Sequence, residues 1–268
     1  MSRLPLTFAC GSLTLAGTLD TAPGKTGLLI VSGGNEIRSG AFRSQARLAA
    51  AIASAGFPVF RFDRRGVGDS EGENRGFRSS ARDIAAACDA FRTIAPDLDR
   101  VVAFGNCDAA SALMLTGGEG FDALILSNPW TLSDTHAAQS AQDPIAPPGA
   151  IRRRYASKLK DPREIARLLR GGVDLRKLAG GLAQSLRSAP PPSSLADDMR
   201  AGLAAFEGGV SILLAAADRT AQSFEAHWDR SDVRIERCEG ADHAYAQPEH
   251  RLWLERQVLA ALRNAASG

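Results

Sequence analysis

The order of apolar and polar residues along the chain predicts strands that alternate with helices. Short apolar runs, typical of strands buried on both faces, are separated by longer stretches with helical spacing. Repeated βα units with short connections indicate an α/β fold, in which helices cover both faces of a mostly parallel sheet. The predicted strands cover 6–10, 12–18, 26–32, 58–62, 101–104, 123–126, 211–217 and 233–238, and the predicted helices cover 42–55, 78–94, 109–115, 221–228 and 248–265.

The alternation breaks between 130 and 205, where proline-rich joints surround a basic helical stretch. We interpret 130–205 as a helical cap inserted into one α/β core, which is formed by 1–129 and 206–268. Ligands of parallel sheets bind at the carboxyl ends of the strands, so an insertion at this point would cover the site.

The predicted cap is strongly basic between 150 and 190. This stretch contains eleven Lys and Arg residues against three acids, a net charge of +8. A solvated helical face explains such a run by itself. The functional alternative is recruitment of an anionic carrier or glycan, or peripheral contact with a membrane.

Composition narrows the class of protein further. The net charge of +2 over 268 residues is too small to indicate a nucleic-acid partner. Because neither a signal-peptide run nor an apolar stretch of ~20 residues occurs, we expect a cytoplasmic protein. The cysteines lack C-x-x-C spacing, which argues against disulfides and a zinc site. They are Cys10, Cys88, Cys107 and Cys238.

The strongest chemical signal is the segment Gly105-Asn106-Cys107-Asp108-Ala109, which lies between the strand VVAF and a helix of small residues. This is the context of the nucleophile elbow, a sharp turn whose small flanking residues let the backbones pass closely. Cys107 occupies the position that serine usually holds, and the following helix N-terminus favours a thiolate. The alternative is an inert buried cysteine in a βα turn.

Two later residues complete a candidate catalytic triad. Asp218 ends the strand SILLAAAD, and His243 follows the last predicted strand. The chain order nucleophile, acid, histidine is that of the α/β-hydrolase fold. Asp218 can alternatively cap a helix, and a single histidine is often only a surface or core residue.

The loop Ser32-Gly33-Gly34-Asn35-Glu36 follows an early strand and is a candidate for the oxyanion hole. A backbone N–H of this loop and the N–H of Asp108 would hold the oxyanion, and we favour Asn35 as the loop donor. The alternative is an ordinary βα loop. A further segment, DRRGVGDSEG from 63 to 72, is similar to a D-x-R-G-x-G-x-S loop, which we interpret as scaffolding.

Together the runs GGNEIRSGAFRSQARLA, AGFPVFRFDRRGVGDSEG, FGNCDAASAL and GADHAY resemble the exosortase A system-associated hydrolases of type 1. The resemblance covers most of the chain, and the cysteine-containing elbow is its most specific part. It implies an α/β-hydrolase encoded with bacterial exopolysaccharide machinery and does not imply a substrate. The pair Asn35-Glu36 departs from the Pro-Gln expected of that family, which bears on the oxyanion-hole assignment.

The predicted function is hydrolysis of an ester or thioester without a cofactor or metal. Cys107 would attack a small-molecule or carrier-linked acyl substrate, His243 would move the proton, and Asp218 would orient the imidazole. Acyl transfer uses the same acyl-enzyme and stays an alternative. A non-enzymatic accessory protein on a hydrolase scaffold is the other, since fold does not imply function. The sequence does not determine the oligomeric state.

Overall fold

The computed structural model describes residues 2–131 and 194–267. Within them eight strands form one sheet, in the order β1-β2-β4-β3-β5-β6-β7-β8. β1 and β2 form an antiparallel hairpin, and β2 pairs antiparallel with β4. The other six strands, β3 to β8, are all parallel to one another. The strands are β1 Arg3–Cys10, β2 Leu13–Asp20, β3 Thr26–Val31, β4 Val59–Phe62, β5 Arg100–Asn106, β6 Ala123–Ser127, β7 Gly209–Ala215 and β8 Ile235–Cys238.

Helices cover both faces of this sheet, which confirms the predicted α/β-hydrolase architecture of a mostly parallel sheet between helices. The helices of the described segments are α1 Ser44–Ser54, α2 Ala81–Ile94, α3 Asp108–Leu115, α4 Ser194–Ala204, α5 Arg219–His227 and α6 Pro248–Ser267. None of them is long and apolar enough to cross a membrane.

The core has two parts, one on each face of the sheet. Alternate side chains of a strand point to opposite faces, so Leu29 and Val31 of β3 pack with α2 to α5, while Leu28 and Ile30 pack with α1 and α6. Each fully buried side chain of this kind contributes about 1.5–3 kcal/mol of transfer free energy. The central strands are therefore held firmly, and their carboxyl ends form a rigid base for the loops.

The predicted cap mostly falls outside the described residues, which include only its two ends. Its last part forms α4, which packs on α3 and places Leu195, Met199 and Leu203 in the core on that face of the sheet. The basic stretch between 150 and 190 lies outside the described residues, and its role stays a prediction.

Candidate active site

The elbow is a tight turn between β5 and α3. Cys107 has φ 62° and ψ −128°, a backbone conformation that side-chain-bearing residues rarely adopt. Such strain costs of the order of 1–3 kcal/mol and persists only where the surroundings enforce it. A Cβ at Gly105 would lie 2.7 Å from the backbone of Ala109 and Ala110, so the close approach of β5 and α3 requires glycine there. The turn thus holds the Cys107 side chain, which is only partly buried, at the end of the sheet.

The structure brings His243 and Asp218 to the same end of the sheet. His243 Nδ1 lies 2.9 Å from Asp218 Oδ2, and the carboxylate position implies that Nδ1–H donates. The Cys107 side chain lies close enough to the imidazole to contribute to raising its pKa. Asp218 Oδ2 also accepts the N–H of Ala221 at 3.1 Å, so Asp218 caps α5 and holds His243 at the same time.

The electrostatics of His243 follow from these two partners. Burial lowers its pKa, but the interactions with Asp218 and Cys107 outweigh burial and raise the pKa to about 10. Imidazolium is therefore the form that these surroundings stabilise at neutral pH. A protonated imidazole beside a thiol is an arrangement that stabilises a thiolate.

Two asparagines hold the loop that carries His243, and the sequence analysis did not assign them a role. Asn106 Nδ2 lies 3.4 Å from the His243 carbonyl oxygen and 3.5 Å from His243 Nε2. Asn128 Nδ2 donates to Asn106 Oδ1 at 3.0 Å, and Asn128 Oδ1 accepts the N–H of Ala215 at 2.8 Å. This network connects the ends of β5, β6 and β7 to His243. The only sequence signal was the position of both asparagines directly at strand ends.

Tyr245 fixes the same loop from the other side. Its ring is buried and stacks on Trp253 with centroids 6.1 Å apart, and its hydroxyl lies 3.1 Å from Ser127 Oγ. Tyr245 has a φ of 50°, which marks a sharp turn in the chain just after His243. The histidine therefore sits on a loop that is restrained on both sides.

The glycine loop approaches the elbow closely, with Gly34 as its point of contact. Gly34 N–H donates to Asp108 Oδ1 at 2.6 Å, and a Cβ at Gly33 would lie 2.6 Å from the Asn106 carbonyl oxygen. The side chain of Asn35 is turned to Asn74, whose amide donates to it at 2.8 Å. The loop N–H directed at the elbow is thus that of Gly34, and the role of Asp108 as an oxyanion donor stays a prediction. The assignment of Asn35 as oxyanion donor stays a prediction.

Arg64 ties the glycine loop to the elbow. Its buried guanidinium donates to the Gly34 carbonyl oxygen, lies 3.4 Å from Asp108 Oδ2 and donates to Ser80 Oγ at 3.1 Å. The DRRG segment that was interpreted as scaffolding therefore reaches the candidate site through this side chain.

The remaining cysteines differ from Cys107 in their surroundings. Cys10, Cys88 and Cys238 are buried, and burial raises the pKa of each thiol. Among residues 2–131 and 194–267, no group of three His, Cys, Asp or Glu side chains is arranged to hold a metal ion.

Comparison with known proteins agrees with this architecture. Solved structures that superpose on the chain include the Pyrococcus furiosus esterase Pf2001, at 12% identity and a TM-score of 0.65, over 98% of this chain and 90% of that one. The α/β hydrolase GrgF from Penicillium sp. sh18 superposes over 100% of both chains at 16% identity and a TM-score of 0.64. Est1E from Butyrivibrio proteoclasticus, solved with ferulic acid, superposes over 98% of this chain and 100% of its own at 15% identity and a TM-score of 0.59.

At sequence identities of 12–16%, these solved structures establish only that the fold is shared. A search of curated protein sequences finds no match. The model of the alpha/beta hydrolase family matches residues 28–256, which include the elbow, Asp218 and His243. The chain therefore belongs to the alpha/beta hydrolase family.

Proposed function

We propose that the protein is an acyl hydrolase that cleaves thioesters and activated esters through a Cys107-His243-Asp218 triad. The observation that carries the proposal is the partly exposed thiol of Cys107, which is held in a strained elbow close enough to His243 to raise its pKa, while His243 Nδ1 contacts the Asp218 carboxylate. The superposed structure that is named an esterase, Pf2001 of Pyrococcus furiosus, supports the same reaction class through its fold.

The reaction begins with the thiolate and the imidazolium. Cys107 Sγ attacks the carbonyl carbon, a C–S bond forms, and the carbonyl electron pair moves to oxygen. The tetrahedral adduct then re-forms the carbonyl and breaks the bond to the leaving atom, which takes the proton from His243 Nε2. His243 is now neutral, and Asp218 keeps its Nδ1–H in place.

Hydrolysis of the acyl-enzyme reverses these roles. Neutral His243 takes a proton from water, the hydroxide attacks the acyl carbon, and the C–S bond breaks to release the acid and the thiolate. Backbone N–H groups of Asp108 and of the glycine loop stabilise the negative oxygen in both steps. We assign the loop donor to the Gly34–Asn35 segment; for Gly34, the Asp108 carboxylate that now accepts its N–H must first turn aside.

Sulfur at position 107 favours substrates with good leaving groups. Thiolate is itself a good leaving group, since the thiol pKa is near ~8.5, so an adduct with an alkoxide tends to return to the starting ester. In the tetrahedral adduct of a thioester, Cys107 and the departing thiol are comparable leaving groups. The adduct can therefore expel the substrate thiol with little proton donation from His243.

The test compares kcat/KM for a thioester, a nitrophenyl ester and an alkyl ester of one acid. We expect wild type to favour the thioester over the alkyl ester by at least ~100-fold, which corresponds to ~2.7 kcal/mol in the barrier. Cys107→Ser should narrow that ratio even if it is slower throughout. Equal rates on thioester and alkyl ester in wild type would contradict the thioester preference.

Two alternatives remain within this proposal. An acyltransferase would give the same acyl-enzyme but pass the acyl group to an amine or hydroxyl, so added acceptors would raise the rate and change the product. An accessory binding protein would not turn over any acyl substrate.

We also propose that the protein acts in the cytoplasm in an exosortase and exopolysaccharide context, as its resemblance to the exosortase A-associated hydrolases implies. The basic stretch between 150 and 190 would then recruit an anionic, carrier-linked substrate or a membrane surface. Its net charge of +8 is the supporting observation.

A further inference from the structure

A cavity of about 330 Å³ opens beside His243, on the face of the sheet opposite α3. It lies between the first turns of α1 and α6, and Phe104 at the end of β5 lines it. Its volume is in the range of small-molecule sites, ~300–1,000 Å³. Apolar side chains supply most of its surface, among them Ala41, Leu48, Leu252 and Leu254.

The cavity is adjacent to the atoms that would react. Its lining includes His243 and Asn106, the residue before the candidate nucleophile. Glu36, at the end of the glycine loop, also lines it. An acyl group bound in the cavity would therefore lie beside His243.

The charged side chains around the cavity have both signs. Arg47 and Arg251 stand against Glu36 and Glu255, and His243, whose protonated form the site stabilises, also lines the cavity. Arg47 donates to the carbonyl oxygen of Phe42, Arg251 donates to that of Ala246, and Glu36 lies 3.4 Å from the amide of Gln45. Arg47, Arg251 and Glu36 thus have partners within the protein, and the charge of protonated His243 is balanced by Asp218. The apolar walls therefore decide what the cavity accepts.

We propose that this cavity binds the acyl part of the substrate and that the acyl group is neutral, mainly apolar and of medium length. The inference rests on the proposed function, because an acyl group is present only if the site performs acyl chemistry. It adds the substrate class, which neither the family nor the triad specifies. Leu48 of α1 is the position that tests it, since its side chain lines the cavity and is only partly buried.

The first experiment measures kcat/KM for acetyl, butyryl, hexanoyl and octanoyl thioesters of one thiol. Wild type should prefer octanoyl over acetyl, and Leu48→Trp should reduce that preference at least ~10-fold, because a Trp side chain fills the cavity. Ala85→Trp is the matched control on the exposed side of α2, on the other face of the sheet, and should leave the preference unchanged. An unchanged preference in folded Leu48→Trp would overturn the proposal.

The second experiment separates the acyl group from the leaving group and tests neutrality. With octanoyl fixed, a series of thiols should give the same ranking in wild type and Leu48→Trp. With the thiol fixed, the half-thioester of octanedioic acid should be at least ~10-fold poorer than octanoyl, because its terminal carboxylate would be buried. A ranking of thiols that changes in Leu48→Trp, or an octanedioic substrate as good as octanoyl, would contradict the assignment.

Binding without turnover distinguishes failure of the cavity from failure of the proposed function. Octanamide binding to wild type and Leu48→Trp, measured by ligand-observed NMR, should be at least ~10-fold weaker in the variant. Weaker binding with no turnover of any acyl substrate by wild type would support the cavity and contradict the hydrolase mechanism. Equal binding to both proteins would overturn the cavity whatever the turnover.

Discussion

At the scale of single residues, Asp218 illustrates how one carboxylate serves two purposes. Its Oδ2 accepts both the N–H of Ala221 and the Nδ1–H of His243. The helix cap and the triad acid were alternatives in the sequence, and the same oxygen makes both the capping hydrogen bond and the contact with His243. Asp242, the neighbour of His243, instead accepts the N–H of Ala246 at 2.9 Å and is exposed.

We therefore predict that Asp218→Asn lowers kcat by at least ~100-fold, because the imidazolium loses its counter-charge and its fixed orientation. Asp242→Asn is the matched control and should stay within about twofold of wild type. The measurement is steady-state turnover of the preferred thioester, with circular dichroism as the check on folding. The opposite ranking of the two variants would show that the acid had been misassigned.

The pKa of His243 also gives a prediction for stability. Because its pKa rises from the ordinary ~6.5 to about 10 in the folded protein, protonated His243 stabilises the fold in full below pH ~6.5. That contribution is lost as the pH rises from 6.5 through about 10. The unfolding free energy, measured by denaturant titration, should decline over this window in wild type and less steeply in Asp218→Asn. Parallel declines in both proteins would contradict the Asp218 contact as a cause.

Single residues also mark the limits of sequence reasoning. That Cys107, Asp218 and His243 lie at one end of the sheet could be predicted, because each lies at a characteristic point of a strand-loop-helix unit. Asn128 could not, since its role depends on β6 lying between β5 and β7, which is a tertiary fact. The choice between Asn35 and Gly34 as the loop donor of the oxyanion hole likewise depends on the direction of a backbone N–H. The residue type does not determine that direction.

At the scale of elements, the close approach of the glycine loop to the elbow is the most demanding feature. A Cβ at Gly33 would lie 2.6 Å from the Asn106 carbonyl oxygen and 3.1 Å from Asp108 Oδ1. We predict that Gly33→Ala displaces the loop and lowers kcat by ~100-fold or more, on the scale of losing an oxyanion donor, with a smaller change in KM.

Gly11→Ala is the control for that variant. Gly11 lies in the β1–β2 turn at φ 62°, and no atom lies within 4 Å of an added Cβ. It should therefore lose ~1 kcal/mol of stability through backbone strain and keep its activity. If Gly33→Ala were as active as Gly11→Ala, the loop would not be part of the catalytic machinery.

The ends of the strands differ from the prediction where pairing with a neighbouring strand extends a strand beyond its apolar run. The first two predicted strands, 6–10 and 12–18, extend to Arg3–Cys10 and Leu13–Asp20 because the hairpin register pairs Arg3 with Asp20. The strand predicted at 211–217 begins earlier, at Gly209, where it pairs with Ala123 of β6. These ends depend on partner strands, whereas the buried centres of the strands follow from their apolar runs alone.

At the scale of the whole molecule, the parallel sheet explains why residues far apart in sequence meet. Cys107 follows β5, Asp218 follows β7 and His243 follows β8, and these strands end at the same edge of the sheet. The pattern of strands and helices was sufficient to predict this convergence. The cavity between α1 and α6 could not be predicted, because it depends on how two helices pack on one face.

The central claim is that Cys107 forms a covalent acyl-enzyme, and mass spectrometry tests it most directly. Protein mixed with a medium-chain acyl thioester and quenched in acid within the first turnovers should gain the mass of one acyl group. Peptide mapping should place that group on Cys107 and not on the buried Cys10, Cys88 or Cys238. Cys107→Ala should gain no acyl group and lose turnover by far more than tenfold. Turnover of the thioester by Cys107→Ala within about tenfold of wild type, or an acyl group mapped to another residue, would contradict the account.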